Sequence, residues 1–374
     1  MSGLNFSSYR RLVVKVGSSL LADDFGELNR TWLDKLANDV ADLSNNGHEV
    51  LIVSSGAIAI GGSVLGINKQ RAKLPDLQAA AATGQVQLVH AYQEALGRHG
   101  ITVAQILLTP DDTEDRRRFL NARRTLGKLI ALSVVPVINE NDTVATEEIR
   151  YGDNDRLAAR VAQLVMADAL ILLSDVDGLY TTDPRSNSDA KHIPEVAAID
   201  DDILSMAGES RSEVGTGGMT TKVQAAGIAT HAGCITIIAS GVIDSPLRAL
   251  KDGGRYTIFN ASDTPAAARK QWIAGVLDVS GELSLDDGAI GALQDGYSLL
   301  PVGVIDVSGD FSRGDVVTLK ALSGKVVGRG LAEYSSDEAS RLSGVQSDQI
   351  ENVLGYRGRS VMVHRDELVL FNND

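Results

Sequence analysis

The sequence predicts an α/β protein: a doubly wound, mostly parallel sheet followed by a second, smaller, β-barrel-like domain. Three observations lead there. Short β-branched apolar runs alternate with helical patterns to about residue 260. The interior is aliphatic, since hydrophobic residues make up 44% of the chain and aromatic ones only 4%. A chain of 374 residues is also too long for one small core, so two domains are expected.

The runs cover 12–16, 50–53, 103–108, 134–138, 170–173 and 235–239. Continuous apolar strands of this kind suit a parallel sheet covered on both faces. Between the first two, Leu33, Leu36, Val40 and Leu43 recur at helical steps, and Gly47 supplies a stop. The pattern predicts further helices over 76–99, closed by Gly100, and over 155–166 and 221–232. Near 262–270 the chain becomes polar and alanine-rich, as a linker or joining helix would be. Beyond Gly275 it reads as short alternating strands at 276–285, 302–307, 315–319, 326–331 and 360–363, with a helical pause at 337–342. The expected division is a first domain over 1–262, a linker over 263–279 and a second domain over 280–374.

Composition excludes several classes. The net charge of −14 argues against a general binder of nucleic acid or anionic membrane. Cys234 is the only cysteine, which leaves no disulfide framework or thiolate zinc site; beside the run at 235–239 it reads as a small buried hydrophobe. There is no signal-peptide series at the start and no apolar run near the ~18 residues a membrane span needs. A soluble, cytoplasmic protein is expected.

The densest chemical signal is residues 215–222, Gly-Thr-Gly-Gly-Met-Thr-Thr-Lys. Glycines let the backbone approach a ligand, and hydroxyls, a helix N-terminus and a cation follow. Together these suit a polyphosphate. A plain glycine turn capping a helix is the alternative. It is not a Walker A loop, because the lysine spacing of that motif fits nowhere in the chain. Open parallel sheets bind ligands at the carboxyl ends of their strands. Here those ends carry Lys15-Val16-Gly17-Ser18-Ser19, Ser54-Ser55-Gly56-Ala57, Asn139-Glu140-Asn141-Asp142 and Ser174-Asp175-Val176-Asp177-Gly178. Gly152-Asp153-Asn154-Asp155 opens a helix between the last two. Each alone has an ordinary reading as cap or turn. Five at one sheet edge point to a site. A lysine inside an apolar strand, as Lys15 is, needs an anion for its ammonium, unless it snorkels from the strand end. Lys222 supplies a second cation, and two converging lysines are what phosphoryl transfer requires.

Taken together, in order and over about residues 10–260, these motifs resemble the amino-acid kinase family, and within it the branch that phosphorylates glutamate. The C-terminal part resembles a PUA domain through Phe311-Ser312-Arg313-Gly314-Asp315 and Val363-His364-Arg365-Asp366. The resemblance implies the amino-acid kinase fold and ATP-dependent phosphorylation of the L-glutamate γ-carboxylate, the first step of proline biosynthesis. It implies that Lys15 and Lys222 contact the ATP phosphates and that Asp155 holds both lysines. Ser55, Asp142, Asn154 and Asp153 would bind the amino acid. Ser174, Asp175, Thr216, Gly217, Gly218, Met219, Thr220 and Thr221 would lie along the nucleotide. It further implies Mg²⁺ with ATP, proline as feedback inhibitor, a homodimer or tetramer, and coupling to glutamyl-phosphate reductase. No protein ligand of the metal is assigned.

A carboxylate with pKa near ~4.3 is already ionised at neutral pH, so the acceptor needs no general base. Asp142 and Asp153 are therefore better read as partners of the substrate ammonium. A kinase of the same fold acting on acetylglutamate, aspartate or carbamate is the rival. Gly17 followed by Ser18, where acetylglutamate and aspartate kinases usually have a second glycine, favours glutamate. An RNA-binding reading of the C-terminal part is disfavoured, because residues 281–374 hold 8 Lys and Arg against 15 Asp and Glu. His364-Arg365-Asp366 with Asn372 only imitates a protein-kinase catalytic loop, and the six histidines form no metal-binding pair. Arg116, Arg117, Arg118, Arg123 and Arg124 read as a solvated or subunit-contact helix face, with phosphate binding as a minor alternative.

Overall fold

A computed structural model of the chain describes residues 3–23, 25–67, 71–144, 154–208, 218–276 and 279–371. It divides into two compact units, Met1–Pro265 and Ala266–Asp374.

The first unit runs β1 (Arg11–Val16), α1 (Arg30–Asn45), β2 (Glu49–Ser54), α2 (Ala57–Leu65), α3 (Leu74–Gly97) and β3 (Val103–Leu108). It continues with α4 (Arg116–Ala131), β4 (Val135–Glu140), α5 (Asn154–Val165), β5 (Ala169–Ser174) and β6 (Glu195–Val196). Then come α6 (Met219–His231), β7 (Ile235–Ser240) and β8 (Tyr256–Phe259). One eight-stranded sheet takes the order β3-β4-β2-β1-β5-β7-β8-β6. It is parallel from β3 to β7, and β8 turns antiparallel against β7. All six strands read from apolar runs are present, whereas β6 and β8 were not anticipated.

Register on β1 decides where the chemistry falls. Leu12, Val14 and Val16 join one core with Leu33, Leu36 and Val40 of α1 and Leu88, Tyr92 and Leu96 of α3. Val13 joins the opposite core with Leu157 and Val161 of α5 and Val223 and Ala226 of α6. The two-residue period therefore turns Lys15 toward α5 and α6. The strands then sort left and right of β1: β2 lies on one side and β5 on the other. A doubly wound sheet opens its ligand crevice at such a switch.

Local capping follows the sequence. The Asn29 side chain accepts from the Trp32 N–H at the start of α1, and Gly47 with φ +86° ends that helix. Helices α2 and α3 meet backbone to backbone. A Cβ on Gly61 would stand 1.8 Å from the Ala80 carbonyl oxygen, and one on Gly84 would stand 1.9 Å from that of Ala57. Only glycine permits that approach. Cys234 is buried as expected, and burial pushes its thiol pKa up.

The second unit holds α7 (Pro265–Gly275), β9 (Gly281–Leu285), α8 (Asp287–Gln294), β10 (Val304–Gly309), β11 (Val316–Ala321) and β12 (Val326–Leu331). It ends with α9 (Ser336–Leu342) and β13 (Leu368–Leu370). The sheet order is β10-β9-β11-β12-β13, antiparallel except between β9 and β11. Leu283, Leu285, Val317, Leu319 and Leu342 centre its own core. The polar, alanine-rich joining segment is helix α7, whose last turn is capped by Arg329 Nη1 donating to the Ala274 carbonyl at 2.7 Å. The strand expected over 360–363 does not form. Met362 and Val363 are buried, but Val363 makes only an isolated bridge to Leu299, and the last strand lies further on at β13. Among the described residues no helix is long and apolar enough to cross a membrane.

Candidate active site

Asp155 occupies the first turn of α5 and is fully buried. Lys15 Nζ lies 2.6 Å from its Oδ1, and Lys222 Nζ lies 3.1 Å from its Oδ2. The lysines come from β1 and from the first turns of α6, and both are themselves buried. Thr221, one residue before Lys222, donates its hydroxyl to Asp155 Oδ2 at 3.3 Å and to the Gly218 carbonyl at 2.8 Å. Packing explains the meeting. α5 packs on β1 and lies beside α6, and Lys222 falls on the helical stripe of Ala226 and Ala229 that α6 buries.

Burial alone would raise the pKa of Asp155, but the ammonium groups of Lys15 and Lys222 outweigh it and hold the carboxyl below its ordinary range. One carboxylate thus faces two cations.

A second cluster sits at the ends of β2 and β4. The two protons of the Asn154 amide nitrogen are shared among the Ser54 carbonyl at 3.0 Å, Ser55 Oγ at 2.9 Å and Asn139 Oδ1 at 2.8 Å. The Ser55 N–H donates to the Val16 carbonyl, which ties this residue to the end of β1. Asn139 is buried at the end of β4; its Oδ1 also accepts the Glu140 N–H at 2.9 Å, and its Nδ2 donates to Gln85 Oε1 at 2.8 Å. Gln85 comes from α3 and is 8% exposed. Its Nε2 is buried without a hydrogen-bond partner among the described residues. Such a donor costs a fold about 1–3 kcal/mol. Asp142 stands half-buried in the turn that follows β4.

On the other side of β1, the Ser174 hydroxyl donates to Asp175 Oδ1 at 2.9 Å at the end of β5. A cleft of about 370 Å³ opens beside Asp175. Val176, Ile243, Pro246 and Leu250 give it an apolar wall, while Asp177, Arg185, Ser240 and Arg255 add polar groups. Gly218 precedes α6, and a Cβ built there meets nothing within 4 Å. Met219 packs on the core beneath α6, and the Thr220 hydroxyl turns back to the Gly208 carbonyl at 2.7 Å.

The structure therefore brings Lys15, Asp155, Thr221 and Lys222 together, and separately Ser55 with Asn154. Ser174 and Asp175 lie at the same sheet edge. Asp153, Thr216 and Gly217 fall outside the described residues. Sequence reasoning missed Asn139 and Gln85 as members of the second cluster. A signal existed: Ala81, Gln85, Leu88 and Tyr92 form the buried stripe of α3, and a glutamine in such a stripe needs a partner. Among the described residues, no three His, Cys, Asp or Glu side chains gather as a metal cage.

Comparison with known proteins identifies the family. The model of the Amino acid kinase family matches residues 10–240, and that of the PUA domain matches residues 281–354. A glutamate 5-kinase from Paramagnetospirillum magneticum is 56% identical over 362 residues, covering 96% of this chain and 98% of that protein. One from Rhodopseudomonas palustris is 55% identical over 363 residues, covering 97% and 96%. A solved structure, UMP kinase from Ureaplasma parvum, aligns with TM-score 0.48 and 16% identity over 67% of this chain and 98% of that one.

Proposed function

The chain belongs to the amino acid kinase family, and on that premise we infer that it transfers the γ-phosphoryl group of ATP to the γ-carboxylate of L-glutamate, the first step of proline biosynthesis. One observation supports this chemistry above all: two buried ammoniums from separate elements converge on one carboxylate. A γ-carboxylate oxygen attacks the γ-phosphorus, the bond to the bridging β–γ oxygen breaks, and ADP leaves with the bonding pair. The acceptor is ionised at neutral pH, so no proton has to be removed. Lys15 and Lys222 meet the charge that spreads over the transferring oxygens, while Asp155 keeps both in line. Magnesium would accompany ATP, held by phosphate oxygens and water, and would neutralise charge on the phosphates.

The amino-acid end would be recognised by the second cluster. The Asn154 amide nitrogen is engaged on the protein side, which leaves its Oδ1 to accept from the α-ammonium, with the Asp142 carboxylate as a second partner. Ser55 Oγ accepts from Asn154 and so directs its own hydroxyl outward to a carboxylate oxygen. Asp153 is proposed for the same pocket. Proline carries an ammonium and an α-carboxylate too, which supports its binding here as a feedback inhibitor. The nucleotide would run along Gly218, Met219, Thr220 and Thr221 with Thr216 and Gly217, and reach Ser174, Asp175 and the cleft beside them. That cleft falls in the size range of small-ligand pockets.

Asn154→Ala and Ser55→Ala are expected to raise the Michaelis constant of glutamate at least about tenfold, the effect of losing a hydrogen bond to a charged group, and to leave that of ATP within a factor of about two. An equal rise for both substrates would point to collapse of the whole edge instead. The activity itself is read by ADP release with glutamate, acetylglutamate, aspartate and carbamate, with hydroxylamine trapping the acyl phosphate. No hydroxamate with glutamate sinks the proposal.

We propose the domain limits 1–262 and 280–374, joined by 263–279. The first unit ends at Pro265 and holds every group assigned to phosphoryl transfer. A chain cut there is expected to fold and to keep phosphorylating glutamate. A soluble, folded fragment without activity would mean that the second unit completes the site.

A further inference from the structure

We propose that Gln85 is a positioning residue for the amino-acid substrate, acting through Asn139 to hold Asn154 with its amide oxygen facing the pocket. The proposal rests on Asn154 binding the substrate ammonium.

The argument runs on donors that cannot be exchanged for acceptors. An asparagine or glutamine amide can turn over, so its direction has to be fixed by partners of one kind only. The Glu140 N–H is such a partner, because it can only donate, and it fixes the Asn139 oxygen as acceptor. That oxygen then takes the Asn154 amide nitrogen as well, while the Asn139 nitrogen must find an acceptor of its own. Buried as Asn139 is, Gln85 Oε1 is the acceptor it finds. The same direction is enforced at the far end by the Ser54 carbonyl, which can only accept. The amides thus form a relay of set polarity from α3 across β4 to the first residue of α5. Its inner end carries a buried Gln85 nitrogen with no partner among the described residues. A side chain retained for packing alone would be apolar at this place. An amide that leaves one donor unsatisfied while supplying one acceptor has its use in that acceptor.

Without it the Asn139 nitrogen is left buried and unpaired, Asn139 is pulled away, and Asn154 loses one of its three anchors. Pocket recognition should suffer, while the lysine–aspartate cluster, which among the described residues shares no hydrogen bond with the relay, should not.

The test compares Gln85→Met, which keeps the volume and removes the acceptor, with Gln85→Glu, which keeps an acceptor and removes the unpaired donor. Gln85→Met is expected to raise the Michaelis constant of glutamate about three- to tenfold, the worth of one hydrogen bond, with kcat and the Michaelis constant of ATP within about twofold. Gln85→Glu should stay within about twofold on all three. In an Asn154→Ala background Gln85→Met should add nothing further, since residues acting through one another are not additive. A folded Gln85→Met enzyme with an unchanged glutamate constant overturns the proposal, and so does full additivity with Asn154→Ala. If Gln85→Met does not fold, a Gln85→Glu enzyme with the glutamate constant raised tenfold overturns it and one near the parent value supports it. A parent chain that does not phosphorylate glutamate at all overturns the activity and this inference together.

Discussion

Lys222→Ala and Lys15→Ala are each expected to lower kcat about 10²–10³-fold, because each removes a cation aimed at charge that develops in transfer, a loss worth roughly 3–4 kcal/mol. The fold should survive either change. Asp155 has two ammonium partners, so removing one leaves a buried pair of opposite charge rather than a bare ion. Steady-state kinetics together with a thermal melt checks both halves. A well-folded variant with near-parental turnover would end the two-lysine account.

Asp155→Ala should behave in the opposite sense. It leaves two buried ammoniums with no carboxylate between them, and breaking a buried pair in this way costs about 3–5 kcal/mol. Stability is therefore expected to fall by that order, and turnover to fall with it because the lysines lose their common anchor. The acid limb of the stability curve supplies an independent check. A carboxyl held below its unfolded pKa contributes stability that is fully present above that unfolded value, near ~3.9, and is lost as pH falls through the folded one. The variant should lack this loss, so its stability relative to the parent should recover in acid. A constant difference between the two proteins across that range would show that Asp155 is not a charged partner.

The strands that carry the site were legible because each is a continuous apolar run, covered on both faces, and a charged residue inside such a run stands out. Lys15 is the case in point. Asp155 and Lys222 could be named from motifs, but their meeting depends on α5 packing against α6, which no local pattern states. Strands β6 and β8 escaped because two- and four-residue segments near the border of a sheet owe their form to partners far away in sequence. The opposite error at 360–363 has the same root: Met362 and Val363 are apolar because they fill a core, and core filling does not require a ladder. Gln85 was hidden by its neighbours, since in an alanine-rich helix one more polar residue looks like surface until the stripe of Ala81, Leu88 and Tyr92 is seen to face inward.

The crossing of α2 and α3 at Gly61 and Gly84 acts as a spacer of zero thickness. α2 starts just after Ser55, and α3 carries Gln85 directly after Gly84, so one contact between main chains calibrates the gap between the wall proposed to receive the substrate and the amide proposed to brace it. A single methyl group at either glycine would push the helices apart by more than an ångström and withdraw both sides at once. The two helices should accordingly open as one cooperative block in amide hydrogen exchange, with the dimensions of the proposed glutamate pocket set by a joint outside it.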